Sequence, residues 1–485
     1  MKVCFINPPF KAEYGKFSRE SRSPSIGHSG VLYYPLWLIY AAAVCEKDGF
    51  DIAFIDAPAK RLTEDQTMER VKKEAYDARL FVLDTSTPSI YNDAAFGTLL
   101  KKTYPGCQVM LVSTHPSATP IETININEDI DVIARHEYDY IVRDTARAIR
   151  DGSDLSTVMG ITYRENGVIK GTADAEHIET LDEIPMAGPF IKKYLDVMDY
   201  VFPAASYPAI QIFTGRGCPA HCNYCVYPQT LHGHKYRLRT PEHVVEEFKY
   251  IAENFPEVRE IVIEDDTFTA NKKRVLEICD LLIKKGLNKR IKWLCNARVN
   301  IDLETMQAMK KAGCHLLIPG FESYNEQILI NIKKGSNLKL IDAYVANAKK
   351  AGLMIHACYM VGNQGETRET MENTLAAAMR FKTDTAQFFP LIPYPGTEAY
   401  QWAKSNGYIS GKYEDYLQED GTLNCVLNTS ELSAQDLVDF CAYARKKYYM
   451  RPWYIVHRLA KGLRDPDDMK RSLKAFWRLK DSLLK

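Results

Sequence analysis

Residues 215–225 read Gly-Arg-Gly-Cys-Pro-Ala-His-Cys-Asn-Tyr-Cys, and they decide how the rest of the chain is interpreted. They place Cys218, Cys222 and Cys225 in the spacing C-x3-C-x2-C, directly after the apolar run 209–213. Three thiolates can bind three irons of a four-iron, four-sulfur cluster, whose usual ligands are cysteines. The fourth iron then has no protein ligand and is open to a substrate or cofactor, as in catalytic rather than structural metal sites. The spacing therefore indicates a site of chemistry.

The same spacing resembles the signature of radical S-adenosylmethionine (SAM) enzymes, and Tyr224 stands where that family has an aromatic residue beside the adenine of SAM. The resemblance implies that the open iron binds the amino and carboxylate groups of SAM. It also implies the reaction, in which one electron from the reduced cluster cleaves SAM to methionine and a 5′-deoxyadenosyl radical that removes hydrogen from an unactivated carbon. Such chemistry belongs to the cofactor, which the protein positions and shields.

Other uses of the three cysteines fit the sequence less well. A zinc site would need a fourth ligand, and neither His221 nor His232 completes a familiar paired-ligand spacing. Disulfides are typical of secreted chains, and nothing in this sequence indicates secretion. A non-enzymatic alternative is a corrinoid-binding or iron–sulfur protein that stores or senses a cofactor.

The composition is that of an ordinary globular chain, with 485 residues, 46% hydrophobic and 26% charged. Lys plus Arg and Asp plus Glu both number 62, so no net charge points to nucleic acid. The apolar run before Pro8 is too short for a signal peptide, and no run approaches the roughly 18 apolar residues of a membrane span. We therefore expect a cytoplasmic protein. Nine of the twelve cysteines lie outside the triad, mostly in apolar segments, and are expected to act as small hydrophobes.

Residues 1–150 are predicted to form a five-stranded, doubly wound α/β domain. Short apolar runs alternate with helical patterns, giving strands 3–6, 52–55, 80–83, 109–112 and 130–133 and helices near 36–48, 63–77, 91–103 and 138–150. Ligands of such sheets lie beyond the carboxyl ends of the strands. No phosphate-binding glycine fingerprint is present.

This domain, followed by the cysteine triad, resembles the cobalamin-binding-domain radical SAM enzymes. The resemblance implies a corrin over the loops that follow the strands and over the segment 24–35. The Asp-x-His-x-x-Gly motif that supplies a histidine to cobalt in other cobalamin proteins is absent, as it usually is in this subfamily, and we assign no histidine to cobalt. The expected cobalamin contacts are Asn7, Tyr33, Tyr34, Ser86, Thr87, Ser113, His115 and Glu137. The alternative is a Rossmann-like domain that binds substrate or nothing, since fold does not fix function.

Residues 151–205 are interpreted as a connector and residues 206–400 as a partial barrel. The connector contains a predicted β-hairpin over 160–170, turning at Asn166-Gly167, and an extended linker over 181–189. The barrel is predicted from strands 209–213, 261–264, 291–295, 316–319, 355–361 and 385–390, with helices such as 241–254, 302–312 and 367–381 between them. Six such β/α units place an active site at the carboxyl ends of the strands.

The residues at those strand ends suit the parts of SAM. Asp265 and Asp266 follow the second strand and could accept hydrogen bonds from the SAM ammonium group. Asn296 and Arg298 follow the third strand, and the arginine could pair with the SAM carboxylate. The remaining candidates are Glu322 and Ser323, suited to ribose hydroxyls, and Gly362, where the backbone could approach the adenosine. Each signal is weak alone, and their order behind the cysteine triad makes them strong together.

Five motifs are most similar to the hopanoid-biosynthesis-associated radical SAM proteins labelled HpnJ: residues 227–239, 265–269, 320–323, 331–335 and 394–397. That resemblance implies a carbon-skeleton rearrangement, such as contraction of a cyclitol ring on a lipid. The chain departs from the group at residues 219–221 and at 362–366, where Gly-Asn-Gln-Gly-Glu replaces the typical Gly-Leu-Pro-Gly-Glu.

Residues 401–485 are predicted to be a helical region that ends in a basic, aromatic segment. Such a segment could contact an anionic membrane surface, or it could be a helical cap on the barrel. The sequence as a whole predicts an enzyme with a [4Fe-4S] cluster, SAM and cobalamin that acts on an unactivated carbon of a small-molecule or lipid substrate. C-methylation, cobalamin-assisted rearrangement and cobalamin-free carbon–carbon bond formation all remain open. The resemblance also implies a reducing electron donor such as flavodoxin or ferredoxin.

Overall fold

The chain folds around two sheets whose strands alternate with helices. A computed structural model describes residues 1–27 and 30–463. The segment 24–35 therefore includes two residues outside the described part, and so does the end of the basic C-terminal segment, from residue 464 onwards. Among the described residues no helix is both long and apolar enough to cross a membrane.

The first half of the chain builds a seven-stranded sheet. Its strands and the small β2–β3 ribbon are β1 (Lys2–Asn7), β2 (Phe17–Ser18), β3 (Ser25–Ile26), β4 (Asp51–Asp56), β5 (Ala78–Asp84), β6 (Gln108–Val112), β7 (Val132–Ala134), β8 (Ile161–Glu165) and β9 (Val168–Gly171). Its helices are α1 (Leu36–Lys47), α2 (Ala57–Lys60), α3 (Glu64–Glu74), α4 (Ile90–Thr103), α5 (Thr114–Ala118), α6 (Pro120–Ile124), α7 (Asp139–Asp151) and α8 (Ala187–Tyr194).

The order of strands in this sheet is β4-β1-β5-β6-β7-β8-β9, and the first five are parallel. The chain runs from β1 to β4 on one side of β1, and then crosses to β5 on its other side. The carboxyl ends of β1 and β5 therefore flank the topological switch point, where doubly wound folds bind ligands. The predicted doubly wound domain is confirmed. The predicted hairpin is also present, but its two strands extend this sheet in antiparallel fashion through β7. It is therefore part of the first sheet and not a free connector.

The second half builds the predicted six-stranded parallel sheet. Its strands and a small ribbon are β10 (Ala209–Ile212), β11 (Gly215–Arg216), β12 (Arg237–Leu238), β13 (Glu260–Ile263), β14 (Lys292–Ala297), β15 (Cys314–Glu322), β16 (Met354–Val361) and β17 (Thr385–Pro390). The helices are α9 (Pro241–Asn254), α10 (Lys272–Lys284), α11 (Leu303–Lys311), α12 (Glu326–Asn331), α13 (Leu338–Ala351), α14 (Arg368–Phe381), α15 (Glu398–Ser405), α16 (Ala434–Tyr449) and α17 (Pro452–Gly462). The six main strands lie side by side in chain order, with β10 and β17 at the edges, which is the open form of a barrel.

Short polar residues start the barrel helices where the sequence predicts them. Thr240, Asp302 and Thr367 each accept a hydrogen bond at their side chain from the backbone N–H three residues later. These caps satisfy donors that the first turn of a helix cannot pair internally. Each helix therefore begins directly after a strand-end loop, which keeps those loops short and their side chains near one another.

Residues of the barrel strands alternate between two environments. In β16 the side chains of residues 355, 357, 359 and 361 are buried, whereas residues 354, 356, 358 and 360 are partly exposed. Successive residues of a strand point to opposite faces, so the buried set packs against the helices and the other set lines the inside of the open barrel. The inward face of β16 is therefore less tightly packed than the face against the helices.

The C-terminal region is only partly helical. Between α15 and α16, residues 406–433 are mostly irregular chain with one 3-10 turn (Tyr413–Tyr416) and two isolated bridges, so the predicted helical region is interrupted there. This segment packs on the first sheet: the ring of Tyr413 lies 4.7 Å from His115, and the Ile26 N–H donates to the Gly421 carbonyl at 2.7 Å. It covers the carboxyl ends of the first sheet's strands.

Buried charges join the two sheets next to the cysteine stretch. Arg216 donates to Glu137 at 2.7 Å and to both carboxylate oxygens of Asp139 at 2.6 and 3.0 Å. Arg237 donates to the second oxygen of Glu137 at 2.6 Å. All four side chains are at most 3% exposed. Burial would raise the pKa of Glu137, but the two guanidinium groups outweigh it and lower that pKa to about 2.

We expect Glu137→Gln to lower the free energy of unfolding by about 3–5 kcal/mol, because it leaves two buried guanidinium groups without a full counter-charge. Urea unfolding without oxygen measures the loss. The matched control is Glu165→Gln, which removes an exposed pair with Lys170 and should cost less than about 1 kcal/mol. Equal losses in the two variants would contradict the assignment. Because the folded pKa lies below the ordinary value, the contribution of Glu137 is complete above about pH 4.5 and disappears as the pH falls toward 2.

Candidate active site

The cysteine stretch is a closed loop held at its base by the β11–β12 ribbon. Gly215 and Arg216 pair with Leu238 and Arg237, which brings the two ends of the loop together. Gly217 has φ +85°, and a Cβ there would lie 2.2 Å from the Lys235 carbonyl oxygen. Only glycine fits this crossing of the two arms of the loop.

The three cysteines lie close enough in this loop for their thiols to influence one another. Cys218 and Cys222 are each 8% exposed and Cys225 is half-buried. Burial raises the pKa of the Cys218 and Cys225 thiols, and the neighbouring thiols and Asp266 raise it further. In the described part of the chain, no three or more His, Cys, Asp or Glu side chains converge to hold a single metal ion. A four-iron cluster places three thiolates on three different irons, so its ligands need not converge on one point.

Histidines in the same loop have protein partners of their own. His221 stacks on His234 with ring centroids 4.1 Å apart, and the Nδ1 of His234 lies 3.1 Å from the Cys218 carbonyl and 3.0 Å from that of Ala220. His232 is 1% exposed, and its Nδ1 lies 3.2 Å from Asp266. His234 therefore fixes the backbone between the first two cysteines.

Tyr224, between the second and third cysteines, belongs to a three-residue contact that we call the lysine triad: Tyr224, Glu322 and Lys334. The Lys334 ammonium donates to Glu322 Oε1 at 2.7 Å and to the Tyr224 hydroxyl at 2.9 Å. The Tyr224 hydroxyl in turn donates to the same oxygen at 2.9 Å. The structure thus brings two predicted SAM contacts together through a lysine that the sequence did not single out. Its one signal is its place in the Lys-Lys-Gly run that ends α12.

The backbone of β15 is shaped around the lysine triad. A Cβ at Gly320 would lie 2.2 Å from Glu322 Oε1 and 2.9 Å from the Lys334 ammonium. Glu322 itself has φ +61°, a conformation that non-glycine residues seldom adopt. Such backbone strain persists only where the surroundings enforce it and is concentrated at functional sites.

Arg298 and Asn296 reach the same region from β14. Arg298 donates from Nη2 to the Lys334 carbonyl at 2.7 Å. Its charge offsets part of the rise that burial causes in the pKa of the Cys218 thiol. The Asn296 amide donates to the Asp265 carbonyl at 3.2 Å. The structure therefore places both predicted residues beside the cysteine loop, each anchored to neighbouring backbone.

The two adjacent aspartates after β13 have different surroundings. Asp265 is fully buried and accepts from the backbone N–H and the hydroxyl of Thr214, both at 2.6 Å. It ties β13 to the chain leaving β10, and Thr214 bonds to both of its carboxylate oxygens. Asp266 points the other way, toward His232 and Arg22. Burial raises its pKa, but the hydrogen bond from His232 and nearby positive charge lower it below the ordinary value.

Two further predicted SAM contacts face the protein interior. Ser323 is fully buried, and its hydroxyl lies 3.2 Å from that of Thr374 in α14. Gly362 has φ +90°, and a Cβ there would meet Leu437 of α16 at 2.7 Å. The glycine is needed for its backbone conformation and for the packing of α16, and the structure brings neither residue to the lysine triad.

Apart from Tyr33 and Tyr34, the residues predicted to contact cobalamin lie at the carboxyl ends of the first sheet's strands, but most have protein partners. Asn7 bonds to Asp56 and Arg19, the Ser86 hydroxyl bonds to Ser89, and Ser113 is buried with φ +99°. His115 is 1% exposed, and both of its ring nitrogens face threonine hydroxyls, of Thr87 at 3.1 Å and Thr119 at 3.3 Å. Burial lowers the pKa of His115 to about 3, so it is neutral.

Two of these residues, Glu137 and Tyr34, have partners that join the two halves of the chain. Glu137 is held by Arg216 and Arg237, as described above. Tyr34 donates to the Ala209 carbonyl at 3.1 Å and stacks on Tyr200 at 3.9 Å. Tyr33, by contrast, lines a crevice between the two sheets.

That crevice lies where residues 20–37 meet the ends of β10 and β13. Its walls are Glu20, Arg22, Tyr33, Tyr34, Leu36, Trp37, Gln211, Phe213, Tyr227, Glu264 and Asp266. Its free volume is about 10 Å³, room for one water molecule. Arg22 lies at this crevice 3.9 Å from Asp266. Its positive charge offsets part of the rise that burial causes in the pKa of the Cys225 thiol. The crevice therefore adjoins the cysteine loop.

Two buried polar groups at the switch point lack partners. Both carboxylate oxygens of Asp84, at the end of β5, and the hydroxyl of Tyr138 make no hydrogen bond. Asp84 is fully buried, and burial raises its pKa to about 7. Unpaired polar groups are costly to bury and mark a place where a partner belongs. Sequence reasoning missed both, although Asp84 directly follows the predicted strand 80–83.

Comparison with known proteins agrees with this geometry. Residues 212–378 match the family model described as the radical SAM superfamily. These residues are a radical SAM domain. The matched span begins at the end of β10 and runs to α14, so it contains the cysteine loop and the lysine triad. The protein is accordingly an enzyme with a radical SAM domain, and the cofactors of that domain are a [4Fe-4S] cluster and SAM.

Several known proteins are similar to this chain over most of its length. The chain is 29% identical over 460 residues to the uncharacterized methyltransferase PH0819 of Pyrococcus horikoshii, covering 94% of each protein. It is 24% identical to the anaerobic magnesium-protoporphyrin IX monomethyl ester cyclase of Rubrivivax gelatinosus, covering 98% of this chain and 82% of that one. The methyltransferase TsrM of Kitasatospora setae, solved with tryptophan and a SAM analogue, shares the fold at a TM-score of 0.67 and 16% identity, covering 84% and 77% of the two chains. TsrM was also solved with cobalamin and a [4Fe-4S] cluster bound.

We expect Lys334→Met to weaken SAM binding by at least about tenfold, because it releases Tyr224 and leaves the strained Glu322 without its buried counter-charge. The change in the electron paramagnetic resonance spectrum of the reduced cluster on titration with SAM measures the affinity. Lys334→Arg should restore part of it.

The matched control is Lys333→Met, one residue earlier, which removes only an exposed pair with Glu398. It should leave SAM affinity unchanged. Equal effects of the two methionine substitutions, or no effect of either, would show that the lysine triad does not position the nucleoside.

Proposed function

We propose that this protein is a cobalamin-dependent radical SAM C-methyltransferase that acts on an unactivated carbon of a small molecule. The observation that carries the proposal is the placement of the cysteine loop of the radical SAM domain against the carboxyl ends of the first sheet, held there by Arg216 and Arg237. A relative of nearly equal length named as a methyltransferase, and the shared fold of TsrM, support it.

The bound cluster, SAM and cobalamin would together supply radical cleavage of SAM and a methyl group for transfer. Cys218, Cys222 and Cys225 would hold the cluster. Tyr224 and Glu322, fixed by Lys334, would form the wall against the nucleoside, and Arg298 would offer its charge to the SAM carboxylate. The narrow crevice beside Cys225 would keep water away from the reacting carbon.

The first sheet offers chemistry that suits cobalamin. Corrin side chains are amides, which donate to carboxylates and accept from hydroxyl groups. The unpaired Asp84 carboxylate and Tyr138 hydroxyl at the switch point are acceptor and donor of this kind. The predicted contacts Ser86, Thr87 and Ser113 lie at the same edge, beneath the segment 406–433. Asp84 and Tyr138 would therefore hold the corrinoid amides.

The crevice also limits the substrate. Its aromatic walls, Trp37, Phe213 and Tyr227, favour an apolar or planar group, and Glu264, Asp266 and Arg22 offer polar contacts at its end. With room for one water, it must widen before any substrate enters. A substrate with both an apolar body and polar substituents fits this lining.

A second candidate is rearrangement of a carbon skeleton, as in the ring contraction implied by the HpnJ resemblance. The observation that favours it is the 24% identity over nearly the whole chain to a protein named as a cyclase, which shows that methyl transfer is not the only reaction named among the relatives. A lipid of the hopanoid kind would be the substrate. The exposed apolar side chains of α17, including Val456 and Leu459, would suit contact with a membrane surface.

The test is an iron, sulfide and cobalt assay on protein purified without oxygen from cobalamin-supplemented cells, followed by incubation with SAM, dithionite and candidate substrates. We expect about four irons per chain, together with bound cobalt and formation of 5′-deoxyadenosine. S-adenosylhomocysteine in equal amount would identify methyl transfer, whereas 5′-deoxyadenosine alone would identify rearrangement.

The matched pair of variants is Cys222→Ala and Cys279→Ala. Cys222 lies in the cysteine loop, whereas Cys279 lies in α10 outside it, so only the first should lose iron and SAM cleavage. Absence of both SAM products from the wild type with every substrate would overturn the proposed function. A full iron content without cobalt would remove cobalamin from it.

A further inference from the structure

Glu264 places a carboxylate inside the open barrel, directly above an apolar layer. In the register of the parallel strands, Val262 lies level with Leu294, and Leu294 lies level with Leu316. These three side chains belong to one apolar cluster. Because successive residues of a strand point to opposite faces, Glu264 lies on the same side of its strand as Val262, one layer nearer the carboxyl end. Its carboxylate therefore lines the crevice with an apolar floor beneath it.

Neutral amides hold this carboxylate in place. Gln211 donates from Nε2 to Glu264 at 3.3 Å, and the side-chain oxygen of Gln211 accepts the backbone N–H of Tyr34 at 2.9 Å. That backbone N–H decides which end of the amide faces Glu264, so the donor is aimed at the carboxylate. Burial raises the pKa of Glu264, and the charge of Arg22 and the hydrogen bonds from Gln211 and Asn296 offset only part of the rise.

The other carboxylates of the crevice have stronger donors. Three of the four charged side chains that line it are carboxylates, and the fourth is Arg22. Glu20 accepts backbone N–H groups at the start of α1, at 3.0–3.3 Å. Asp266 faces His232 at 3.2 Å and Arg22 at 3.9 Å. Glu264 is therefore the carboxylate with the least compensation, and a carboxylate removed from water needs a positive partner.

We propose that Glu264 binds a protonated nitrogen of the substrate, so that the substrate of this protein is an amine. The inference rests on the proposed function, because it names the substrate class of the same crevice. The aromatic walls Trp37, Phe213 and Tyr227 suit such a group, since a cation is attracted by aromatic faces as well as by a carboxylate. A site with a desolvated polar group rejects analogues that leave this group unpaired, so Glu264 sets the specificity.

The test compares two probes of nearly the same shape on the anaerobic, cluster-loaded protein with SAM. Benzylamine carries an ammonium group at neutral pH, and benzyl alcohol carries a hydroxyl in its place. Isothermal titration calorimetry gives both dissociation constants. We expect the wild type to bind benzylamine at least about tenfold more tightly, as one charge-assisted hydrogen bond provides. Glu264→Gln keeps the shape of the side chain without its charge and should abolish this preference, whereas Glu264→Asp should keep part of it.

The matched control is Glu277→Gln, which removes an exposed carboxylate of α10 and should keep the full preference. Iron content equal to that of the wild type shows that each variant has folded. SAM also carries an ammonium group, so its affinity is measured in the same proteins from the electron paramagnetic resonance spectrum of the reduced cluster. We expect Glu264→Gln to leave SAM affinity unchanged.

Three results would overturn the amine site: a wild type that binds neither probe or both equally, an undiminished preference in Glu264→Gln, and a loss of SAM affinity in Glu264→Gln, which would assign the carboxylate to SAM. The proposed function has a separate readout. A wild type that prefers benzylamine through Glu264 but forms neither SAM product would support the amine site and overturn only the proposed function.

Discussion

The structure depends on the charge of Arg216, a guanidinium group buried two residues before the first cysteine of the loop. A guanidinium cannot lose its charge inside a protein, so it must be surrounded by carboxylates or exposed. Glu137 and Asp139, at the carboxyl end of the first sheet, meet this need at 2.6–3.0 Å, and Arg237 from the other arm of the loop shares Glu137. Both arms of the cysteine loop are therefore fixed to the first sheet. This contact, more than any linker, therefore determines how the two sheets are oriented toward each other.

Close contacts around the loop extend the same constraint to the nucleoside side of the site. Gly217 allows the arms of the loop to cross, and Gly320 leaves space for Glu322 and Lys334. The lysine triad then joins Tyr224 in the loop to the end of β15, and Arg298 bonds to the Lys334 carbonyl. Lys334 thus connects the cysteine loop with β14 and β15, the third and fourth strands of the barrel. Satisfied buried networks of this kind fix one arrangement, because breaking any member leaves an unpaired charge.

The sequence predicts the strands and helices of both sheets well because apolar runs and N-cap residues are local signals. The cysteine spacing is local too, and it identifies the loop. The orientation of neighbouring side chains depends on residues distant in the chain. Asp265 and Asp266 are the same residue type at adjacent positions, yet only Asp266 faces the crevice. Ser323 and Glu137 have partners distant in the chain, Thr374 and Arg216, which the sequence does not reveal. Lys334 and Asp84 escape notice because their importance comes from burial, which a single lysine or aspartate in a sequence does not reveal.

The strength of these contacts also decides which part of the molecule can open. The crevice has room for one water, and the carboxyl edge of the first sheet is covered, so ligands require movement. Separating the sheets would expose Arg216 and Arg237, and moving residues 8–35 would break the fully buried pair of Arg19 with Asp93. The segment 406–433 is held to the first half of the chain by exposed hydrogen bonds from Lys11, by the Ile26–Gly421 backbone hydrogen bond, by ring contacts of Tyr413 and by packing of Leu417 on Phe17 and Ile26. None of these contacts is an ion pair. Exposed bonds cost far less to break than buried ion pairs. Movement of this segment is therefore the least costly route by which the edge that carries Asp84 and Tyr138 becomes accessible.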